Sequence, residues 1–303
     1  MEGNLIDILP KIRGQYRQNA VLKTWFDVGG SAQILFKPKD DEDLSYFLKN
    51  CPKNIEINVL GAGSNVIISD KGVNGVVIRL GGDFAKIRYE NGDLWAGGAS
   101  LCANLVQFCK NEALSGIEFL SGIPGSVGGA VAMNAGCYGD DISKVLKSIK
   151  VVDYKGVIDV IEAKNIAFSY RKNNLSGKYI FLEACFNVVK STTELVSQKV
   201  EKLCVARQES QPIRAKTGGS TFKNPFSDDL TKKKAWQFID EVGLRGKKIG
   251  GAKISEKHCN FLINEGEATA QDLLDLGNLV KKRVKEEFDQ DLEWEIAIIG
   301  DLD

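Results

Sequence analysis

The stretch that decides the fold is Ser121-Gly122-Ile123-Pro124-Gly125-Ser126-Val127-Gly128-Gly129-Ala130. Four glycines, one proline and two serines in ten residues have no use in a packed element. Pro124 fixes its own φ while its neighbours stay permissive, which suits a rigid loop laid along a ligand. Ala130-Val131-Ala132-Met133-Asn134-Ala135-Gly136 follows, with mostly small side chains that allow close approach. Linkers are seldom this apolar.

Upstream, Val59-Leu60-Gly61-Ala62-Gly63-Ser64-Asn65 runs a strand into glycines. Glycines permit the positive φ angles that turn successive N–H groups toward one anion, so this reads either as a phosphate cradle or as a tight turn. A dinucleotide fingerprint of the Rossmann type would need a third glycine at position 66 and a helix there. Instead Val66-Ile67-Ile68 is a β-branched run ending in the turn Ser69-Asp70-Lys71-Gly72, so the loop joins two extended segments. Two cradles suit a cofactor with two phosphates and a large flat ring better than a mononucleotide.

Around these loops the pattern is α+β. A helix follows Pro38, capped by Asp40 or Asp41, with Leu44, Phe47 and Leu48 inward. Apolar runs bounded by turn residues predict strands at Ile55–Leu60, Val73–Leu80, Phe84–Tyr89 and Leu94–Ala96. Ser100 is read as the cap of a helix through Leu114. Strands resume at Ser148–Asp153, Val157–Ile161 and Tyr179–Val189. A helix from about Thr192 to Arg207 stops before Gln211-Pro212, where a domain boundary is placed. Beyond it come helices at Leu230–Val242 and Thr269–Phe288, a strand near Asn260–Ile263 and a final strand Leu292–Ile299.

Composition narrows the chemistry. The 303 residues carry 40 acidic and 40 basic side chains, so no bulk field draws the chain to nucleic acid or an anionic membrane. No window approaches the roughly 18 to 20 apolar residues that span a bilayer, and the start, MEGNLIDILPKIRGQ, predicts a cytoplasmic protein. Seven scattered cysteines without a C-x-x-C pair predict neither disulfides nor zinc. A single histidine, His258, nearly excludes hydrolytic triads and histidine-rich metal sites, and no metal is expected.

With G-A-G-S-N at Gly61 to Asn65, S-G-I-P-G-S-V-G-G-A-V-A-M-N-A-G from Ser121, F-S-Y-R at Phe168 to Arg171, G-S-T-F-K-N-P at Gly219 to Pro225, G-G-A-K-I-S-E-K-H at Gly250 to His258 and L-E-W-E at Leu292 to Glu295, the chain resembles the UDP-N-acetylenolpyruvoylglucosamine reductases, flavoenzymes of bacterial cell-wall synthesis. The resemblance covers nearly the whole chain. It implies an FAD-binding domain of the vanillyl-alcohol-oxidase and p-cresol-methylhydroxylase (PCMH) type at 24–192, with subdomains at 24–53 and 54–192. A substrate-binding domain at 205–291 and a C-terminal strand at 292–303 follow.

It also implies non-covalent FAD, NADPH as co-substrate, UDP-N-acetylglucosamine enolpyruvate as substrate and a monomeric enzyme. The cofactor segments would be Gly61, Ala62, Gly63, Ser64 and Asn65, then Ser121, Gly122, Ile123, Pro124, Gly125, Ser126, Gly128, Gly129 and Ala130. Arg171 would present a permanently charged fork to the substrate carboxylate, Glu295 would stand opposite, and Ser220 would donate the proton. Tyr170, Asn224 and Lys253 would meet the substrate. The family reads G-A-Y-G where this chain has Gly136-Cys137-Tyr138-Gly139, and E-V-R where it has Glu295-Ile296-Ala297. The chain is short after Tyr179, like the subclass without a substrate-capping insertion. The competing readings are another flavoenzyme of this fold, such as a carbohydrate oxidase, and a nucleotide-binding regulatory protein that has lost turnover.

Overall fold

The computed structural model describes residues 4–226 and 232–300. The chain forms two compact units, each discontinuous in sequence. The first comprises residues 1–19, 34–62 and 75–206, the second residues 20–33, 63–74 and 207–303.

In the first unit the predicted helix is Asp41–Asn50, and the Asp40 side chain caps it by accepting from the Asp43 N–H at 2.9 Å. Its buried face is Leu44, Phe47 and Leu48, with the Phe47 ring 4.5 Å from that of Phe36. The helix thus closes a core over the four-stranded sheet ordered Gln15–Val21, Ser31–Lys37, Val73–Ile78, Ile57–Val59. A second sheet is antiparallel throughout, in the order Ile158–Glu162, Leu146–Asp153, Tyr179–Phe186, Asp93–Gly97, Ile87–Glu90. Its buried face packs on the Cys102–Asn111 helix and on Val127 to Val131. Antiparallel strands with helices set to one side make an α+β arrangement.

Three readings need correction here. Ser100 does not cap the Cys102–Asn111 helix, because its hydroxyl donates to the Ala85 carbonyl at 2.9 Å. The expected strand Phe84–Tyr89 opens as a 3-10 turn, Gly82–Ala85, and only Ile87–Glu90 is extended. That turn lies against the next strand so closely that a Cβ on Gly97 would come within 2.0 Å of the Phe84 carbonyl oxygen. Most consequentially, Ser121 to Ala130 is not one loop. Glu118–Gly122 is a 3-10 turn and Val127–Ala132 a short helix, capped by Ser126 Oγ accepting from Gly129 N–H at 3.3 Å. The helix forms despite two glycines because Val127 and Gly128 donate to the Ser100 and Gly98 carbonyls, at 2.8 and 2.9 Å.

The second unit has its own core of Phe26, Ile67, Phe222, Phe238, Ile239 and the inner stripe of the Ala270–Phe288 helix. Thr269 caps that helix, its hydroxyl accepting from Asp272 N–H at 3.0 Å. Lys248–Ile249, Ala252–Ile254 and Leu262–Asn264 form a three-stranded antiparallel sheet. The helix predicted at Leu230–Val242 is Ala235–Glu241, and residues 230 and 231 lie outside the described residues. The last strand is shorter than Leu292–Ile299, because 293–295 bond to the 221–223 segment and only Ala297–Ile299 pairs, in parallel, with Val66–Ile68. Among the described residues no helix is long and apolar enough to cross a membrane.

Candidate active site

In the first unit the two glycine segments meet. Gly61 lies so close to Ser126 that a Cβ on it would stand 2.7 Å from Ser126 Oγ. Ser126 thus faces Gly61 while it caps the Val127–Ala132 helix. Among the described residues, Ser121 Oγ is the buried side-chain polar atom with no hydrogen-bond partner. A buried hydroxyl without a partner costs about 1–3 kcal/mol, so a polar group bound at this segment would satisfy it. The close approach of the glycines and this orphaned hydroxyl fit a nucleotide cofactor.

The Val127–Ala132 helix also fixes Arg171. Tyr170 and Arg171 form the two-residue turn between Phe168–Ser169 and Lys172–Asn173. Asn173, 3% exposed, donates through Nδ2 to the Val131 and Ala132 carbonyls at 2.7 and 3.1 Å. Asn134 donates to the Ser169 carbonyl at 3.1 Å and accepts from Ser143 N–H at 3.0 Å. Held from both sides, Arg171 takes a left-handed backbone with φ of 56°, a conformation normally left to glycine or asparagine. Its guanidinium carbon lies 5.0 Å from the centre of the Tyr170 ring. Strain held at a cationic side chain is where function is sought.

In the second unit Ser220 follows Gly219, whose φ of 85° sets the turn. Thr217, Thr221 and Phe222, on either side of Ser220, are tied down. Thr217 Oγ1 donates to the Leu262 carbonyl at 2.7 Å, and Thr221 Oγ1 accepts from Leu262 N–H at 3.1 Å. Asn260 acts as a strand partner for Phe222, accepting from its N–H at 3.0 Å and donating to its carbonyl at 2.8 Å. Glu295 lies on the adjoining segment, its N–H donating to the Thr221 carbonyl at 2.8 Å. Ser220 and Glu295 are therefore carried on two backbone segments bonded to each other.

The first glycine loop also contributes to that pairing. Asn65 donates through Nδ2 to the Glu295 carbonyl at 3.0 Å, and its own carbonyl accepts from Ala297 N–H at 3.1 Å. Gly63, with φ of 72°, fits against Lys23 and Thr24, and its carbonyl accepts from Trp25 N–H at 2.8 Å. Gly61 and Ala62 belong to the first unit, Gly63 to Asn65 to the second.

The remaining candidates have structural partners. Asn224 Oδ1 accepts from Ala235 N–H at 3.1 Å, at the start of the Ala235–Glu241 helix. Lys253 Nζ stands 2.7 Å from Glu256 and 3.3 Å from Glu265, whose hydrogen bonds hold its ammonium above the ordinary lysine range. His258 packs edge-on to Phe261, ring centres 4.8 Å apart, and burial pushes its pKa down. Cys137 Sγ donates to the Phe119 carbonyl at 3.1 Å, and all seven cysteines are free thiols.

Sequence reading missed Asn134, Asn173 and Asn260. Each is 3–5% exposed: Asn134 bonds the Ser169 carbonyl beside Arg171, Asn173 ties the Arg171 hairpin to the Val131 and Ala132 carbonyls, and Asn260 bonds the main chain of Phe222 beyond Ser220. Their only signal was the asparagine itself, because the partners that tie them to other segments lie 35 to 42 residues along the chain.

Known proteins match over the whole of this frame. Residues 32–161 match the family described as FAD binding domain, and residues 211–299 match the UDP-N-acetylenolpyruvoylglucosamine reductase, C-terminal domain. The UDP-N-acetylenolpyruvoylglucosamine reductase of Rickettsia massiliae is 47% identical over 97% of this chain and 98% of its own length. That of a Wolbachia from Drosophila simulans is 47% identical over 96% of this chain and 98% of its own. The crystal structure of the enzyme from Thermus caldophilus superposes with a TM-score of 0.80 at 34% identity, covering 95% of this chain and all of that one. With both family matches in chain order and relatives covered almost end to end, this chain belongs to the UDP-N-acetylenolpyruvoylglucosamine reductase family.

Proposed function

We propose that this chain is a cytoplasmic, monomeric enzyme that reduces UDP-N-acetylglucosamine enolpyruvate to UDP-N-acetylmuramate for peptidoglycan synthesis, with NADPH as reductant. The observation that carries the reading is the bonding of the Ser220 segment to the Glu295 segment through Thr221 and Lys223. The cofactor would be held non-covalently by Gly61 to Asn65 and by Ser121 to Ala130. In functional terms residues 24–192 would serve the cofactor, 205–291 the substrate, and 292–303 would bring Glu295.

FAD, when bound, supplies two-electron hydride chemistry between NADPH and the enolpyruvyl double bond. The residues of this chain manage charge and protons. Hydride arriving at the methylene carbon pushes charge toward the substrate carboxylate, where the Arg171 fork stabilises it. Glu295 would stand opposite, its protonated carboxyl hydrogen-bonding the developing aci-carboxylate or orienting a proton. Ser220 Oγ–H then protonates the adjacent carbon. A hydroxyl is a very weak acid, but the carbon it serves is strongly basic. Tyr170, Asn224 and Lys253 would line the substrate, Lys253 as a firm cation toward phosphate or sugar oxygens.

The purified protein should oxidise NADPH only when the enolpyruvyl UDP-sugar is present. Ser220→Ala should keep its flavin absorption and lose about 10²–10⁴-fold in turnover, the usual worth of a placed proton donor. NADPH oxidation independent of the sugar, or undiminished turnover in the variant, would refute the reading.

A further inference from the structure

The Thr193–Ser210 helix has Val196 as its buried residue, yet it bears on the turn that carries Ser121, directly through Lys199 and by way of Tyr138 through Leu203. Lys199 Nζ donates to Ser115 Oγ at 2.9 Å and stands 3.4 Å from Glu118 Oε1. One helical turn on, the Leu203 carbonyl accepts from the Tyr138 hydroxyl at 3.4 Å. The Tyr138 ring in turn lies against Gly122, where an added Cβ would stand 3.1 Å from the ring. Lys199 and Leu203, four residues apart, share one face of the helix. That face meets Glu118, at the start of the Glu118–Gly122 turn, through Lys199, and reaches Gly122, at its end, only through the Tyr138 ring.

Glu118 is the centre of the arrangement. Its side chain is 10% exposed. Oε1 accepts from Ser115 Oγ at 2.6 Å and Oε2 from Gly116 N–H at 2.7 Å. Burial opposes its ionisation, but these hydrogen bonds and the Lys199 ammonium together hold the carboxyl below its ordinary range. The carboxylate thus ties the first residue of the five-residue turn to Ser115 and Gly116 ahead of it through charge-assisted hydrogen bonds. Three residues further on is the orphaned Ser121 hydroxyl.

We propose that Glu118 is a positioning residue for the cofactor: with Ser115, Lys199 and Tyr138 it clamps the Glu118–Gly122 turn so that Ser121 Oγ is held ready for a polar atom of bound FAD. The proposal rests on the FAD reading above. Without the clamp, ordering the turn would fall to the binding event, and the cofactor would leave faster.

The test uses the holoenzyme. Flavin release on dilution is followed by the rise in flavin fluorescence, and the visible circular dichroism of the bound flavin is recorded. Glu118→Gln should speed release about tenfold, the scale of one charged hydrogen bond, and should change the flavin dichroism. Lys199→Met alters a side chain that is 59% exposed and outside the apolar core, and should speed release about threefold, discounted for solvent screening. If Glu118→Gln does not fold, Lys199→Met decides. A folded variant that loses thermal stability but keeps wild-type release and dichroism overturns the proposal, since a purely structural carboxylate would behave so. Wild-type protein that takes up no FAD would instead sink the underlying reading.

Discussion

Replacing Asn260 tests whether the backbone around Ser220 is held as described. The side chain, 4% exposed, makes two hydrogen bonds to the main chain of Phe222, itself 1% exposed. Asn260→Ala leaves the N–H and the carbonyl of Phe222 buried without partners. Each such group costs about 1–3 kcal/mol, and the smaller residue admits some water, so a net loss of about 3 kcal/mol is expected. Asn260→Asp separates the two bonds. It keeps an acceptor for the Phe222 N–H but turns a carboxylate oxygen toward the Phe222 carbonyl, and so should cost more, about 3–5 kcal/mol. Urea denaturation followed by tryptophan emission reads the order, because Trp236 and Trp294 pack against the core of this unit. Turnover should fall in both variants while flavin content stays full, because the glycine segments at Gly61 and Ser126 meet within the other unit. Asn260→Ala within about 0.5 kcal/mol of wild type, or Asn260→Asp the more stable of the two, would refute the reasoning.

Arg171→Gly relieves a left-handed backbone at an arginine, φ 56°, so stability should stay within about 1 kcal/mol of wild type while turnover is lost; a calorimetric midpoint and the NADPH assay check the two halves. Gly277→Ala should gain about 1 kcal/mol of helix propensity yet destabilise overall, because the new Cβ would stand 2.0 Å from the Trp294 ring. The displaced Trp294 should also lower kcat through its neighbour Glu295, and an unchanged thermal midpoint would contradict the close approach. His258 gives a pH dependence. Its folded pKa is lowered by burial, so its contribution is complete above the unfolded value of about 6.5 and is lost as the pH falls through that value toward the folded one. His258→Gln should therefore show a shallower fall in melting temperature between about pH 7 and 5 than wild type, and equal slopes would count against a buried neutral imidazole.

What could be read from the sequence was whatever the chain decides locally. The cap offered at Asp40 or Asp41 and the apolar stripes of the Asp41–Asn50 and Ala270–Phe288 helices need only neighbouring residues; Asp40 is the cap, and the second helix begins one residue after the expected Thr269. Failures came where a distant partner decides. Ser100 looked like a cap until the Ala85 carbonyl claimed its hydroxyl. Val127–Ala132 is helical because Gly98 and Ser100 supply acceptors for its first N–H groups, and Gly128 is needed there since a Cβ would come within 3.0 Å of the Gly98 carbonyl oxygen. The same holds for the candidate site. The glycine segments announced themselves through composition, but the roles of Arg171, Ser220 and Glu295 rest on resemblance, because the segments that carry them are held by asparagine bonds that run 35 to 230 residues along the chain, Asn134 to Ser169, Asn173 to Val131, Phe222 to Asn260 and Asn65 to Glu295. The interleaving of the two units has the same origin. Residues 63–74 join the unit of 207–303, with Val66–Ile68 paired in parallel to Ala297–Ile299, a contact that spans more than two hundred residues and leaves no local trace. Asn65, at the end of the first glycine loop, bonds the backbone of Glu295 across 230 residues, so the local sequence around either residue could not have signalled that the two segments support each other.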